Sequence, residues 1–284
     1  MSYVLTFIAN PDKQQITDQQ ITELLPGMTP VCLSEGEAYD VFTDDVINLV
    51  DLREKLPHVD VILQNSAGRK KKLLIADMDS TIVTGETLDD LAEFAGIKDE
   101  VAEITMRAMN GEIQFRDALR ERVMMLKGLS SAFMEDAMKM VHLTPGAKEL
   151  VATMKANGAY CALVSGGFTF FTSRVAKQVG FDFNAGNNME IVDGKLTGEV
   201  IDPIVTKDSK LDYLKSLSAE QGITTDDAVA VGDGANDLPM ILEAGLGIAF
   251  HAKPSVVAKA KHNVQNGNLT SLLFAQGYKR SDFQ

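Results

Sequence analysis

Leu73–Thr81 reads LLIADMDST, an apolar run that leads straight into two carboxylates two positions apart. In an extended chain, side chains i and i+2 point the same way. Asp77 and Asp79 are therefore expected to face one site at the end of a buried strand. One carboxylate can attack while the other moves protons, a division that covalent hydrolysis requires. A turn after a strand is the plainer reading, since Asp and Ser are common in turns. Three further segments repeat the design. Tyr160–Gly167 (YCALVSGG) is a short apolar run ending in a hydroxyl and two glycines, and Ala228–Asp237 (AVAVGDGAND) ends in two acids four apart. Between them lies a lysine-bearing segment, Val205–Lys210 (VTKDSK). Apolar strands that end in glycine-rich loops, with helices between, predict a parallel α/β sheet. Ligands of such sheets bind outside the carboxyl ends of the strands, where all four segments would meet.

Composition narrows the classes. The chain has 284 residues, 45% hydrophobic and 24% charged, ordinary for a soluble globular protein of one large core or two domains. No apolar run reaches the roughly 18 residues of a membrane span, and the N-terminus, MSYVLTFIANPDK, lacks a basic n-region and a cleavage site. Cys32 and Cys161 sit in apolar contexts and read as buried small hydrophobes that suit a reducing cytoplasm. The net charge of −13 argues against nucleic acid. The basic cluster Arg69–Lys72 reads as a solvated linker or a charged guard before an apolar strand. If the substrate is an anionic phosphate, this acidity must be offset locally by a divalent cation and a few placed cations.

The chain divides near residue 66. Tyr3–Ala9, Asp18–Leu25, Thr29–Leu33, Ala38–Thr43, Asp44–Leu56 and Val59–Gln64 read as strand, helix, strand, strand, helix, strand. This order is ferredoxin-like. The second helix shows apolar spacing at Val46, Ile47, Val50 and Leu52, with Asp44 as its expected N-cap. Residues 67–284 would form the main domain. Within it, residues 87–142 form a helical insertion with apolar positions at Leu88, Leu91 and Phe94 and again at Leu119, Val123 and Leu126. An insertion after the first strand should sit over the strand ends as a cap. Pro145 is expected in the first turn of the next helix. Asp193-Gly194-Lys195 within Asn188–Val200 signals a hairpin.

The ordered set DxDxT, Ser165, a lysine and GDxxxD resembles the haloacid dehalogenase superfamily over residues 73–265. The finer runs DMDSTIVTGETLDDLAEFAG and RAMNGEIQFRDALRERV resemble its phosphoserine phosphatases, with Met78 where that family often has Phe. The resemblance implies a Rossmann-like parallel sheet with a helical cap, preceded by a small ACT-like α+β domain at residues 1–66. It also implies hydrolysis of O-phospho-L-serine to L-serine and phosphate, the last step of serine biosynthesis. Asp77 would be the nucleophile that forms an aspartyl-phosphate, and Asp79 the general acid/base. Mg²⁺, a hard octahedral ion held by few carboxylates and water, would bind Asp77, Asp233 and the Asp79 carbonyl, with Asp237 acting through water. Asp233 and Asp237 also fit plain helix capping.

Ser165 and the Gly166 amide would hold phosphoryl oxygens, and Asn236 would reach the phosphate. Lys210 would neutralise charge and hold Asp77, with Lys207 as its rival. In the cap, Glu86 would pair with the substrate ammonium and Arg122 with its carboxylate, while Met109 and Phe115 close an apolar wall. Ordinary surface or core roles compete for these four residues. The partner is a small phosphomonoester, with no nucleic acid or membrane, and a homodimer through the N-terminal domain. Two other functions stay open. One is a phosphatase or phosphotransferase for another small phosphate, for example with homoserine as acceptor. The other is a non-catalytic amino-acid sensor.

Overall fold

The computed structural model describes residues 2–10, 12–45, 47–109 and 112–284, without the side chains of residues 108 and 109. The N-terminal unit runs β1 (Tyr3–Ala9), α1 (Asp18–Leu24), β2 (Pro30–Ser34), β3 (Ala38–Thr43), α2 (Leu49–Lys55) and β4 (Val59–Asn65). Its antiparallel sheet has the order β2-β3-β1-β4. Leu5, Phe7, Val41 and Val61 pack with Ile21 of α1 and Leu52 of α2 on one face. Ile8, Leu33, Ala38 and Ile62 on the other face join the core of the main unit.

Three expectations for this region are corrected. Helix α2 starts at Leu49, and Asn48 rather than Asp44 is its N-cap, accepting from the Val50 amide. Val46 lies outside the described residues. Cys32 is exposed, because Leu33 takes the inward position on the edge strand β2. Arg69 is not solvated. It is buried against Asp40 at 2.6 Å and also donates to Thr6 and to the carbonyls of Phe274 and Ala275.

The main unit begins with β5 (Leu73–Ala76), followed by four cap helices: α3 (Thr87–Ala95), α4 (Lys98–Met109), α5 (Phe115–Met125) and α6 (Ala132–Met140). Then come α7 (Ala147–Ala156), β6 (Tyr160–Phe168), α8 (Thr169–Val179), β7 (Phe183–Val192), β8 (Lys195–Ile201), α9 (Lys207–Glu220) and β9 (Ala228–Gly232). The chain closes with α10 (Leu238–Glu243), β10 (Leu246–Phe250), α11 (Pro254–Val257), β11 (His262–Val264) and α12 (Ser271–Ala275). Pro145 precedes the helix rather than opening it. Gly146 is the N-cap of α7, so the proline lies one residue outside the cap.

The seven-stranded sheet has the order β11-β10-β9-β5-β6-β7-β8, parallel except where β8 returns as a hairpin on β7. The continuous apolar run of β5 follows from burial on both faces. Leu74 and Ala76 pack into the layer that holds α7, and Leu73 and Ile75 into the layer that holds Leu214, Leu217 and Met240. Register pairs Ala76 with both Leu163 and Val231. Asp77, Ser165 and Asp233 thus emerge at the same edge from three adjacent strands.

The cap stands on a neck of two antiparallel connections. Thr84 donates its amide to the His142 carbonyl, and Thr144 to the Ile82 carbonyl, both at 2.9 Å. The β7–β8 hairpin props the cap from the side: the Gly128 and Ser131 amides donate to the carbonyls of Leu196 and Gly194. Among the described residues, no helix is long and apolar enough to cross a membrane.

Candidate active site

Asp77 follows β5 directly. Its amide donates to the Val231 carbonyl at 3.0 Å, and its Oδ1 accepts from the Met78 amide at 2.7 Å. The chain then makes one tight turn over Met78–Ile82, in which Ser80 takes a left-handed φ of 54°. This fold-back returns Asp79 toward the strand edge, where its Oδ1 accepts from the Thr87 amide at 3.0 Å. Burial raises the Asp79 pKa well above the usual carboxylate range, and the Glu86 charge adds to it.

Lys210 lies in the first turn of α9, and its side chain is 1% exposed. Its Nζ is 2.8 Å from Asp77 Oδ1 and 2.5 Å from Asp237 Oδ1. Burial disfavours the ammonium, yet the Asp237 and Asp77 carboxylates outweigh it and raise the pKa above that of an ordinary lysine. Lys207, the alternative lysine, is exposed at the start of the same helix.

The loop after β9 carries Asp233 and Asp237. Oxygens of Asp77, Asp233 and Asp237 all lie within 4.8 Å of one another. Burial and the Asp77 charge push Asp233 and Asp237 each up to about 7. Acids held this close with one buried ammonium among them form a donor set that a hard divalent cation fits, because oxygen ligands of like charge need a counter-ion. Two glycines make the loop possible. A Cβ on Gly232 would collide with Asp237 Cγ, and one on Gly234 would collide with Asn236 Oδ1.

At the end of β6, Ser165 Oγ accepts from the Gly167 amide at 2.9 Å, which leaves its own proton to donate elsewhere. A Cβ on Gly166 would stand 3.2 Å from Phe115 Cζ, so the cap residue Phe115 lies directly over this segment. Glu86 is at the mouth, exposed on one side but ringed by protein. Lost hydration raises its pKa, against the lowering effect of the hydrogen bond from Ser80 Oγ at 2.7 Å. Arg122 points into the cap, donating to Thr105 Oγ1 and the Ala118 carbonyl at 3.3 Å each. Burial lowers its pKa, countered by the charges of Asp89, Glu86 and Asp79. Met109 ends α4, and its side chain lies outside the described residues.

Some residues of the site carry no assigned role in the sequence. Thr81, fully buried, donates to Asp233 Oδ1 at 3.4 Å; its place in DxDxT is the available signal. Ser80 and Thr87 hold Glu86 and Asp79, but a serine in a turn and a threonine at a helix start look ordinary. Asn187, within a strand, has no local signal at all.

The haloacid dehalogenase-like hydrolase family model matches residues 74–242. A phosphoserine phosphatase of Streptococcus thermophilus is 48% identical over 203 residues, covering 72% of this chain and 94% of that protein. Among solved structures, a HAD family hydrolase of Salmonella enterica serovar Typhi superposes with a TM-score of 0.86 at 30% identity, over 96% of this chain and 98% of that one. A probable phosphoserine phosphatase of Vibrio cholerae gives a TM-score of 0.78 at 34% identity, over 97% and 86%.

Proposed function

The chain belongs to the haloacid dehalogenase-like hydrolases, and from that premise we propose that it hydrolyses O-phospho-L-serine to L-serine and phosphate. The buried contact of Lys210 with Asp77 and Asp237, with Asp79 close by, supports the phosphatase chemistry, and the likeness to a phosphoserine phosphatase at 48% identity supports the substrate. Asp77 attacks phosphorus and becomes an aspartyl-phosphate, which splits one displacement into two. Asp79, whose carboxyl burial pushes toward the protonated form, gives its proton to the departing serine alkoxide. It then takes a proton from the water that cleaves the acyl phosphate. Lys210 orients Asp77 and offsets phosphoryl charge. The Ser165 hydroxyl, the Gly166 amide and Asn236 hold the phosphoryl oxygens.

Asp77, Asp233 and the Asp79 carbonyl, with Asp237 through water, would hold Mg²⁺, and the bound ion would supply the charge neutralisation that an attack of anion on anion needs. Glu86 takes the substrate ammonium and Arg122 its carboxylate. Phe115 excludes water around the serine methylene. This reaction would be the last step of L-serine synthesis in the cytoplasm, served by a unit over residues 67–284 with its cap at 87–142. The test is phosphate release across a panel of phosphorylated amino acids and sugars, with Mg²⁺ and with excess chelator. Phosphoserine should stand out, and only with the metal. Equal release from sugar phosphates would defeat the substrate assignment.

A further inference from the structure

We infer that Asn187 is a positioning residue that sets the phosphate-holding segment and the lysine helix relative to one another; this rests on the phosphatase reading above. Asn187 lies on β7 and is 0% exposed. Its Nδ2 donates to the Gly166 carbonyl at 2.7 Å, and its Oδ1 accepts from the Val205 amide at 2.7 Å.

The first contact acts on Ser165. The Gly166 carbonyl and the Gly167 N–H belong to one planar peptide unit. That N–H donates to Ser165 Oγ at 2.9 Å. Gripping the oxygen fixes the rotation of the plane and, with it, the bond that aims the Ser165 hydroxyl. The segment needs such a hold. Register passes from Val164–Ala185 to Phe168–Asn187, so four steps along β6 face two along β7. Residues 165–167 leave the ladder there, and buried backbone groups released from a ladder need other partners.

The second contact acts on Lys210. Val205 immediately precedes Thr206, the N-cap of α9, and Lys210 sits one turn further on. A single buried amide therefore references both Ser165 and Lys210, one of which holds the phosphoryl group while the other orients its attacker. A neutral amide suits this task because it offers one donor and one acceptor from a rigid plane.

The test uses Asn187→Ala and Asn187→Asp in the full chain with Mg²⁺. The aspartate keeps an acceptor for Val205 and loses the donor to Gly166. Both variants should lose about tenfold to a hundredfold in kcat, equally on phosphoserine and p-nitrophenyl phosphate, as expected of small displacements in a reacting set. Competitive inhibition by inorganic phosphate should weaken in step, while inhibition by L-serine, held by the cap, stays unchanged. A merely structural amide would lower Tm and leave these ratios alone. A folded variant with native kcat and native phosphate inhibition would overturn the inference, as would parallel weakening of phosphate and serine.

One measurement needs no variant. In isotope-labelled native protein, the Asn187 side-chain amide protons should exchange slowly with solvent. They should also shift together with the Gly167 amide when inorganic phosphate is added. Fast exchange, or no shift while Gly167 responds, overturns the inference even if neither variant folds. Native protein that cleaves p-nitrophenyl phosphate but not phosphoserine would sink the substrate reading alone, leaving Asn187 to be judged on the first substrate.

Discussion

A Cβ placed on Gly167 would stand 2.7 Å from Oδ2 of Asp79, so the glycine keeps clear the space that this carboxylate occupies. Gly167→Ala should push the Asp79 carboxyl off its Thr87 hydrogen bond. The fold should survive, because the clash falls on the end of a side chain. Phosphoserine turnover should fall about tenfold to a hundredfold. Release of p-nitrophenolate, which needs no proton, should fall less. Equal losses on the two substrates would place the effect elsewhere than on Asp79.

Asp77→Asn should remove turnover and leave the chain folded. Lys210 keeps Asp237 as a partner at 2.5 Å, so no buried cation is stranded. Lys210→Met is the contrasting case. It leaves Asp77 and Asp237 buried without their ammonium, and breaking a buried pair costs about 3–5 kcal/mol. Urea unfolding should separate the two variants, with Asp77→Asn near the native midpoint and Lys210→Met well below it.

Arg122→Ala should discriminate between substrates. A charge-assisted contact is worth about 1.5–3 kcal/mol, or about ten- to a hundredfold in kcat/KM for phosphoserine. p-Nitrophenyl phosphate has no carboxylate and should be hydrolysed at the native rate. Parallel loss would mean that Arg122 supports the cap through Thr105 and Ala118 rather than reading the substrate.

His262 gives the stability an acid limb. It is buried on β11, and burial, with Lys261 and Arg53 nearby, pulls its pKa down from 6.5 to about 4. Above pH 6.5 the ring is neutral in both folded and unfolded chains, and its contribution is fully present. As pH falls from about 6.5 to about 4, the unfolded chain takes up the proton first and stability is lost, up to about 3 kcal/mol from this group. His262→Gln should therefore show a shallower loss over that window, measured as the difference between native and variant unfolding free energies at each pH. Identical slopes would count against it.

Arg69→Ala should strike stability and spare the chemistry. Arg69 is buried with Asp40, and its removal leaves that carboxylate unpaired, at a cost of about 3–5 kcal/mol. Asp60 adds to the same junction by accepting from the amides of Gln265, Asn266 and Gly267. The expected result is a lowered Tm with kcat preserved below the transition. A truncated chain starting near Gly68 would lose the Asp40 partner of Arg69 together with the Asp60 contacts, and should be less stable still.

Much of the site is legible because its chemistry is strung along strand ends. The apolar run Leu73–Ala76 must be a strand buried on both faces, and Asp77 at its end must then face the sheet edge, whereas Asp79 comes back to that edge through the turn at Ser80 and not along an extended chain. Glycines beside them mark where a nearby side chain needs room, as Gly232 and Gly234 do for Asp237 and Asn236. These are local relations, so the sequence by itself determined them. The same holds for the hairpin at Asp193-Gly194 and for the βαββαβ order of the first unit.

What joins distant segments was decided only by tertiary structure. Two lysines stand three apart in one stretch. Only the rotation of α9 against the sheet buries Lys210 between two carboxylates and leaves Lys207 in solvent. Arg69 reads as a solvated linker residue, because its partners Asp40 and Thr6 come from another part of the chain. The Asn187 amide, the Thr81 contact with Asp233 and the hairpin that props the cap likewise pair residues far apart in sequence. A hydrogen bond depends on where two groups meet in space, and for such pairs no spacing along the chain records it.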